Sequence, residues 1–427
     1  MKRDFWKFWI GQTVSNVGNA VTLFALPLLI FKLTGSAFSL GLMTAAEFLP
    51  YLLFGLVIGA WVDRVDRRRL MIAADATRAA LVASIRLLAA VGHLSLWWVY
   101  AAGFLGSTLA ICFNAAEFAA IPSLVPAGEL VAANGRIQAS YAAATVAGPL
   151  LGGVLIAVVR VEDVLLLDTL SFVASVVSLA LIRTSFNAVQ EERPSLASLR
   201  RDIVEGLRYV LGHPVLRNIS LMMALINFVG TTTYAQLVLF AKDRLHASDP
   251  RVSLLFAAGS VGTIALSLAA GPLRRRWSFS VVALGALMLN GLLLLGFGLT
   301  RWYWGALLLW AVASGAGVLF NINTGSLRQT IAPNHMLGRV MSIAMVLAFS
   351  ANPLGALAGG FLIQRSGDIA LVYAGIGGLT FLVACAFTFT PLGHAERFLP
   401  PAAAGTVSDG LPALEIVSGG EPVPRAD

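Results

Sequence analysis

Gly59-Ala60-Trp61-Val62-Asp63-Arg64-Val65-Asp66-Arg67-Arg68 sets five charged side chains between two long apolar stretches, in a chain that is otherwise nearly free of charge. A charged side chain at the centre of a bilayer costs roughly 2.5–3.5 kcal/mol on insertion scales. A cluster this dense therefore marks a water boundary between two membrane spans. Outward from it, further apolar stretches approach the ~20 residues that a helix needs to cross the hydrocarbon core. Twelve occur, at 8–31, 39–62, 70–91, 97–124, 137–159, 163–183, 215–240, 251–273, 278–299, 302–327, 338–362 and 369–391. They are too long, and too irregular in alternation, for the strands of a barrel. The chain is 58% apolar and 12% charged, whereas soluble domains average about 25% charged residues. The reading is an integral membrane protein. The first stretch is a full span without a small-x-small cleavage site, so it reads as a transmembrane helix and not a signal peptide.

Lysine and arginine orient the spans. With the N-terminus in the cytoplasm, 21 of the 30 basic residues fall inside, 7 outside, and Arg78 and Arg86 within a span. That satisfies the positive-inside rule with both termini cytoplasmic. The net charge of +8 then reports topology and contact with anionic lipid headgroups, not nucleic acid. Between the sixth and seventh spans, Leu196, Leu199, Ile203, Leu207 and Val210 recur at helical spacing opposite Arg201, Asp202, Glu205 and Arg208. This predicts an amphipathic helix on the cytoplasmic face, stopped by Gly212 and Pro214. The expected organisation is a six-helix unit at 1–183, a linker at 184–214, a second six-helix unit at 215–393 and a disordered tail at 394–427, rich in Pro, Ala and Gly. Cys112 and Cys385 sit inside apolar spans and read as packed free thiols.

The two units repeat one another weakly. Phe113-Asn114, Val125-Pro126, Gly135-Arg136 and Gly148-Pro149 with Gly152-Gly153 recur in order as Phe320-Asn321, Ala332-Pro333, Gly338-Arg339 and Asn352-Pro353 with Gly359-Gly360. Repeats of this kind build transporters with a central site between two rocking halves.

With these residues in place, the chain resembles the major facilitator superfamily over roughly residues 5–393. Gly59 to Arg68 is similar to its loop signature Gly-x-x-x-Asp-Arg-x-x-Arg-Arg, with Asp66 where the pattern usually has Gly. Gly148-Pro149-x-x-Gly152-Gly153 resembles the fifth-helix signature of its exporters. Leu33-Thr34-Gly35-Ser36, Pro122-x-Leu124-Val125-Pro126, Ala133-Asn134 and Asp168-x-x-Ser171-Phe172 further resemble the branch of enterobactin exporters and macrolide efflux pumps. The resemblance implies an all-α membrane protein, twelve helices in two pseudo-symmetric six-helix bundles around a midplane cavity, working by alternating access. It also implies a small-molecule substrate, no cofactor, a plasma membrane of bacterial inner-membrane type, and a monomer as sufficient. Within the loop signature, Gly59, Asp63, Arg64, Arg67 and Arg68 are the expected gating residues. Asp63, Arg64 and Arg68 would form a latch that exists only while the cytoplasmic side is closed. Pro149 is expected to bend the fifth helix while its glycines allow close packing.

Ionisable residues inside spans face a cavity or a partner. Asp75 and Arg78, three apart, read as a local pair. Arg86 is a candidate to attract an anionic substrate or to pair with Glu47. Glu47 and Glu117 are the best candidate proton carriers, because a carboxylate in a partly dry cavity can load and release protons near neutral pH; Asp168, near the outer end of the sixth span, is a further candidate that reads equally as a structural hydrogen bond. Asn19 stands where related exporters often carry an acid; it can bind substrate but cannot carry a proton. Proton-coupled export of a small amphipathic molecule, of drug or siderophore class, is the first expectation. A lipid or lysolipid transporter and a non-transporting receptor are the alternatives. The chain has no Gly-x-Ser-x-Gly elbow, His-Glu-x-x-His or phosphate loop, which argues against an enzyme.

Overall fold

The computed structural model describes residues 3–62, 65–126, 129–186, 196–333 and 336–398. The first unit comprises α1 (Arg3–Thr34), α2 (Ala37–Val62), α3 (Arg67–Ala90), α4 (Leu96–Leu124), α5 (Leu130–Ile156) and α6 (Val161–Ala180). The linker helix is α7 (Leu196–Gly212). The second unit comprises α8 (Pro214–Ala235), α9 (Leu237–Asp243), α10 (Asp249–Arg276), α11 (Phe279–Leu299), α12 (Tyr303–Ile331), α13 (Leu337–Phe349), α14 (Asn352–Ser366) and α15 (Ile369–Thr388), and it ends in a 3-10 segment at Pro391–Phe398. Eleven candidate spans among the described residues are long and apolar enough to cross a membrane. Helix α3 is long enough but too charged, since it carries Arg67, Arg68, Arg69, Asp75, Arg78 and Arg86.

The structure revises the sequence boundaries in the second unit. The stretch 215–240, read as one span, is divided at Gln236 into α8 and α9. The stretch 338–362 keeps one candidate span, Ile343–Ser366, in which α13 and α14 meet just before Pro353 at Ser350 and Ala351, both with helical φ/ψ. Proline has no N–H to offer the carbonyl four residues back, here that of Phe349. In the first unit α5 likewise runs on through Pro149.

Packing follows the repeat. Helix α1 packs on α5 and α6 as α8 packs on α14 and α15, and α3 packs on α4 and α6 as α11 packs on α12 and α15. The crossings depend on missing side chains. A methyl on Gly148 would overlap Ala20 and the Val21 amide of α1, and one on Gly355 would overlap the Phe228 carbonyl of α8. Caps close the ends. Asp66 Oδ1 accepts from Arg69 N at 2.9 Å and so starts α3, which gives this acid a local purpose where the superfamily pattern has glycine. Gly367, at φ 67°, terminates α14 in the left-handed conformation.

Among the described residues, three apolar cores result. One is shared between the units and gathers Phe24, Leu28 and Leu40 from the first with Phe240, Phe256, Phe297 and Tyr373 from the second. The other two are separate, one inside each unit at the opposite end. The bundle is thus fused at the end that bears the α1–α2 turn and split at the end that bears the linker. Helix α7 lies on the second unit there: Val210 is buried, and Tyr209 Oη donates to the Ile331 carbonyl at 3.3 Å. The 3-10 segment seats Glu396 over the start of α11, where it accepts from Ser280 N at 3.0 Å and Ser280 Oγ at 2.9 Å. These hydrogen bonds outweigh the opposing effect of burial and hold the Glu396 carboxyl below the usual glutamate range. The segment runs to Phe398, past residue 394 where the sequence begins the expected tail; the remainder of that tail, like residues 187–195 of the linker, lies outside the described residues.

Candidate substrate-binding cavity

Between the two units lies a cavity with two adjoining lobes. The lobe on the first unit has a volume of about 380 Å³ and the lobe on the second about 480 Å³; Thr44, Phe48 and Tyr234 line both. Their chemistry differs. The first lobe carries Glu47, Arg78 and Asp168, with Asn19 and Tyr141. The second is lined by amides, hydroxyls and rings, among them Asn227, Asn290, Asn321, Ser314 and Trp310, and no charged side chain among the described residues reaches it.

The charged lobe is a network. Arg78 donates to Asn19 Oδ1 at 3.2 Å, pairs with Asp75 at 3.5 Å, and lies 4.2 Å from the centre of the Phe172 ring. Asp75 is fully buried beside Ser175, and that guanidinium is its counter-charge. Asp168 accepts from Thr22 Oγ1 at 2.6 Å and from Ser171 Oγ at 3.2 Å. Glu117 sits one residue behind the wall, where it accepts from Tyr141 Oη at 3.0 Å. Among the described residues, Glu47 makes no hydrogen bond or ion pair.

Asn19, Glu47 and Asp168, singled out in the sequence, therefore converge on one cavity from α1, α2 and α6. Arg86 does not join them. It pairs with Asp163 in the first turn of α6, not with Glu47. Arg78, read as half of a local pair, turns out to be the cation of the site. Its spacing from Asp75 was visible in sequence, but its contacts with Asn19 and Phe172 span 59 and 94 residues.

The signature residues lie at the two ends. Asp63 and Arg64 fall outside the described residues, and Gly59 lies near the end of α2. Arg67 donates to the carbonyls of Ala119 and Phe186, and Arg68 to those of Leu179 and Ala180, so both hold the split end of their own unit. In the fifth-helix signature, Gly148 and Gly152 press on α1, while Gly153 presses on Ser253 of α10. Pro149 leaves the Thr145 carbonyl without its helical donor. Ser260 Oγ of α10 donates to that carbonyl at 2.8 Å, from the other unit. The proline thus supplies an acceptor to the interface.

Further contacts seal the fused end. Gln236 Nε2 donates to the Ala37 carbonyl at 2.7 Å, and Phe24 meets Phe256 edge-on with centroids 5.5 Å apart. Methyls on Gly41 and Gly360 would overlap the Ala356 and Ala37 carbonyls, so α2 and α14 touch backbone to backbone. Outermost, Lys32 of the first unit pairs at 2.5 Å with Asp249 of the second, which also holds Lys242. Replacing Asp249 with asparagine should loosen this end. Spin labels placed on the α1–α2 and α9–α10 turns should show a longer-distance population that the wild type lacks, and an unchanged distance distribution would remove the ion pairs from the seal.

Comparison with known proteins agrees with this architecture. The profile of a family described as transmembrane secretion effector matches residues 1–402. The multidrug efflux pump Tap of Mycolicibacterium fortuitum is 27% identical over 370 residues, covering 83% of this chain and 87% of that protein. Macrolide efflux protein A of Streptococcus pyogenes is 27% identical over 378 residues, covering 86% and 91%. Among solved structures, the nucleoside transporter NupG superposes with a TM-score of 0.76 at 12% identity, covering 90% of this chain and 99% of that one. A bacterial homologue of the iron transporter ferroportin, in an inward-facing state, superposes with a TM-score of 0.72 at 16% identity, covering 91% and 99%. The profile match covers nearly the whole of an all-α, multi-pass membrane chain: it belongs to the transmembrane secretion effector family of the major facilitator superfamily.

Proposed function

We propose that the protein exports a small amphipathic molecule from the cytoplasm by alternating access, as a monomer, in exchange for protons. The observation that carries this is the cavity closed at one end by a core common to both units and bounded at the other by two separate cores. The bias of Lys and Arg supports a cytoplasmic placement of both termini. On that placement the sealed end faces outward and this conformation is inward-facing, ready to load from the cytoplasm. The efflux relatives and the Gly148-Pro149-x-x-Gly152-Gly153 signature support export over import.

In this reading 1–183 and 215–393 are the rocking units, joined by the linker at 184–214. Asp63, Arg64 and Arg68 form the cytoplasmic latch of the outward-facing state, and Arg68 rests on the end of α6 until then. Protons are carried by a carboxylate of the first unit. Asp168 and Glu117 are the leading carriers, each held by a hydroxyl donor at the cavity wall.

Everted membrane vesicles test this. Lipophilic drugs, siderophores and lysolipids are added while the pH inside and outside is followed. Wild type should release protons on addition of at least one compound and accumulate that compound. Asp168→Asn or Glu117→Gln should abolish the proton signal, and Asp63→Asn should slow accumulation several-fold. Accumulation without proton movement would exclude antiport; binding without accumulation would leave a receptor.

A further inference from the structure

We infer that Arg328, behind the Met223 wall of the second lobe, is the docking point of an oxyanion, so that the transported molecule carries a single carboxylate, sulfonate or phosphodiester group at one end of an apolar body. This rests on the transporter reading above and names the substrate class of its cavity.

Two arginines are buried among the described residues, Arg67 and Arg328. Arg67 is answered by the carbonyls of Ala119 and Phe186. Arg328, in the last turn of α12, is 5% exposed, and among the described residues it has no ion pair and no oxygen acceptor. Its hydrogen bond runs from Nη2 to the Met223 sulfur of α8 at 2.9 Å, and its Nε is buried without a partner. Around it lies the apolar core of the split end, which includes Leu327 and Ile331. A guanidinium taken out of water calls for a counter-charge. A thioether is neutral and a weak acceptor, so it fills the place of a counter-charge without supplying one.

Helix direction turns this cation toward the cavity. Side chains lean toward the N-terminus of their own helix. Helix α12 begins at the fused end, and Arg328 lies two turns beyond Asn321 on the same face, so its guanidinium rises toward the second lobe, which Asn321 lines. Helix α8 begins at the split end, so Met223 leans down to meet it. Met223 also lines the lobe. One thioether thus stands between a space of about 480 Å³ and a cation without a counter-charge. Methionine is unbranched and readily repacked, so it can swing aside. An oxyanion that takes its place exchanges a weak neutral acceptor for a charge-assisted one, and the planar fork of the guanidinium can meet two oxygens at once. Ser220, one turn before Met223 on the same face of α8, is likewise buried with its hydroxyl unpartnered, and offers a further donor.

Charge sorts the two lobes. Glu47 and Asp168 line the first and turn an anion away from it, whereas no carboxylate among the described residues lines the second. The anionic end is therefore directed to the second unit, and the apolar body is left to Phe48 and Tyr234, whose rings line both lobes. Together the lobes have the size of sites for drug-sized ligands. A second negative charge on the molecule would find no second cation, since Arg78 is committed to Asp75, Asn19 and the Phe172 ring.

Purified protein in phosphatidylcholine nanodiscs is titrated with anilinonaphthalene sulfonate and with neutral phenylnaphthylamine, empty nanodiscs serving as the blank. Arg328→Gln should weaken the sulfonate at least tenfold and leave the amine unchanged. Met223→Leu, which removes the competing sulfur but keeps its bulk, should tighten the sulfonate several-fold and serves if the Gln variant does not fold. A Gln variant that keeps its sulfonate affinity, a Met223→Leu protein that binds the sulfonate no better than wild type, or parallel changes for both probes would overturn the inference. The difference between wild type and Arg328→Gln should persist when phosphatidylglycerol is added to the nanodiscs; its disappearance would give the site to a lipid headgroup and overturn the substrate assignment. Sulfonate binding that depends on Arg328 in a protein that transports nothing would overturn the exporter and leave this site standing; transport of anionic compounds that Arg328→Gln leaves unchanged would do the reverse.

Discussion

Arg78→Ala should destabilise the first unit by about 3–5 kcal/mol, the usual consequence of removing one member of a buried ion pair. Asp75 is fully buried, and the guanidinium at 3.5 Å is its counter-charge. Deleting that charge strands the carboxylate in the interior, and also frees Asn19 and uncovers the Phe172 ring. The double variant Arg78→Ala with Asp75→Ala should recover much of the loss, because no charge is then left behind. Arg78→Lys should fall between, since an ammonium lacks the planar fork that reaches an amide and a carboxylate while lying on a ring. Denaturation in mixed micelles, followed by helical circular dichroism, ranks the four proteins. An Arg78→Ala protein as stable as wild type would mean that Asp75 needs no counter-charge.

Gly41→Val should hold the fused end apart and reduce transport at least tenfold while leaving each unit folded. The crossing of α2 and α14 has no room for a side chain: a Cβ on Gly41 would overlap the Ala356 carbonyl oxygen, and one on Gly360 would lie 2.8 Å from that of Ala37. Carbonyl oxygens within a helix cannot turn aside, so the helices must separate. Because the contact is between units, the damage is to an equilibrium and not to a core. Gly55 is the control on the same helix, with open space where its Cβ would lie; valine there should be tolerated. A cysteine at Phe38, half-exposed on α2, should become more reactive to an impermeant thiol reagent added from outside in the Gly41→Val protein. Wild-type reactivity together with wild-type transport would show that the crossing relaxes more easily than its geometry implies.

The spans were legible because a bilayer imposes length and apolarity locally, and because the run from Asp63 to Arg69 can lie only at a boundary. The linker helix was legible for the same kind of reason, since Leu207 and Val210 fall on one face. The division at Gln236 was not. The site was half legible. Polar residues inside spans drew attention to Asn19, Glu47 and Asp168, but their convergence depends on how α1, α2 and α6 are rotated about their axes, which hydropathy does not encode. Arg86 shows the limit: the periodicity of α3 left Glu47 available to it, whereas the start of α6 brings Asp163 closer. The pair Gln236 and Ser260 carried no signal at all, because each acts on a backbone carbonyl and any sequence has carbonyls everywhere.

The bond from Ser260 to the Thr145 carbonyl has a further meaning. A carbonyl freed by proline and facing a cavity can be satisfied by a hydroxyl or by a water molecule, and the net difference between the two is about 1 kcal/mol. When the units part at this end, solvent takes the place that Ser260 leaves, and no group is orphaned. The interface is therefore held by a tie whose two partners are as well served by hydration as by each other. Such a joint can be opened and remade on every cycle with little net work, because the switch is a displacement of water and not a rupture of structure.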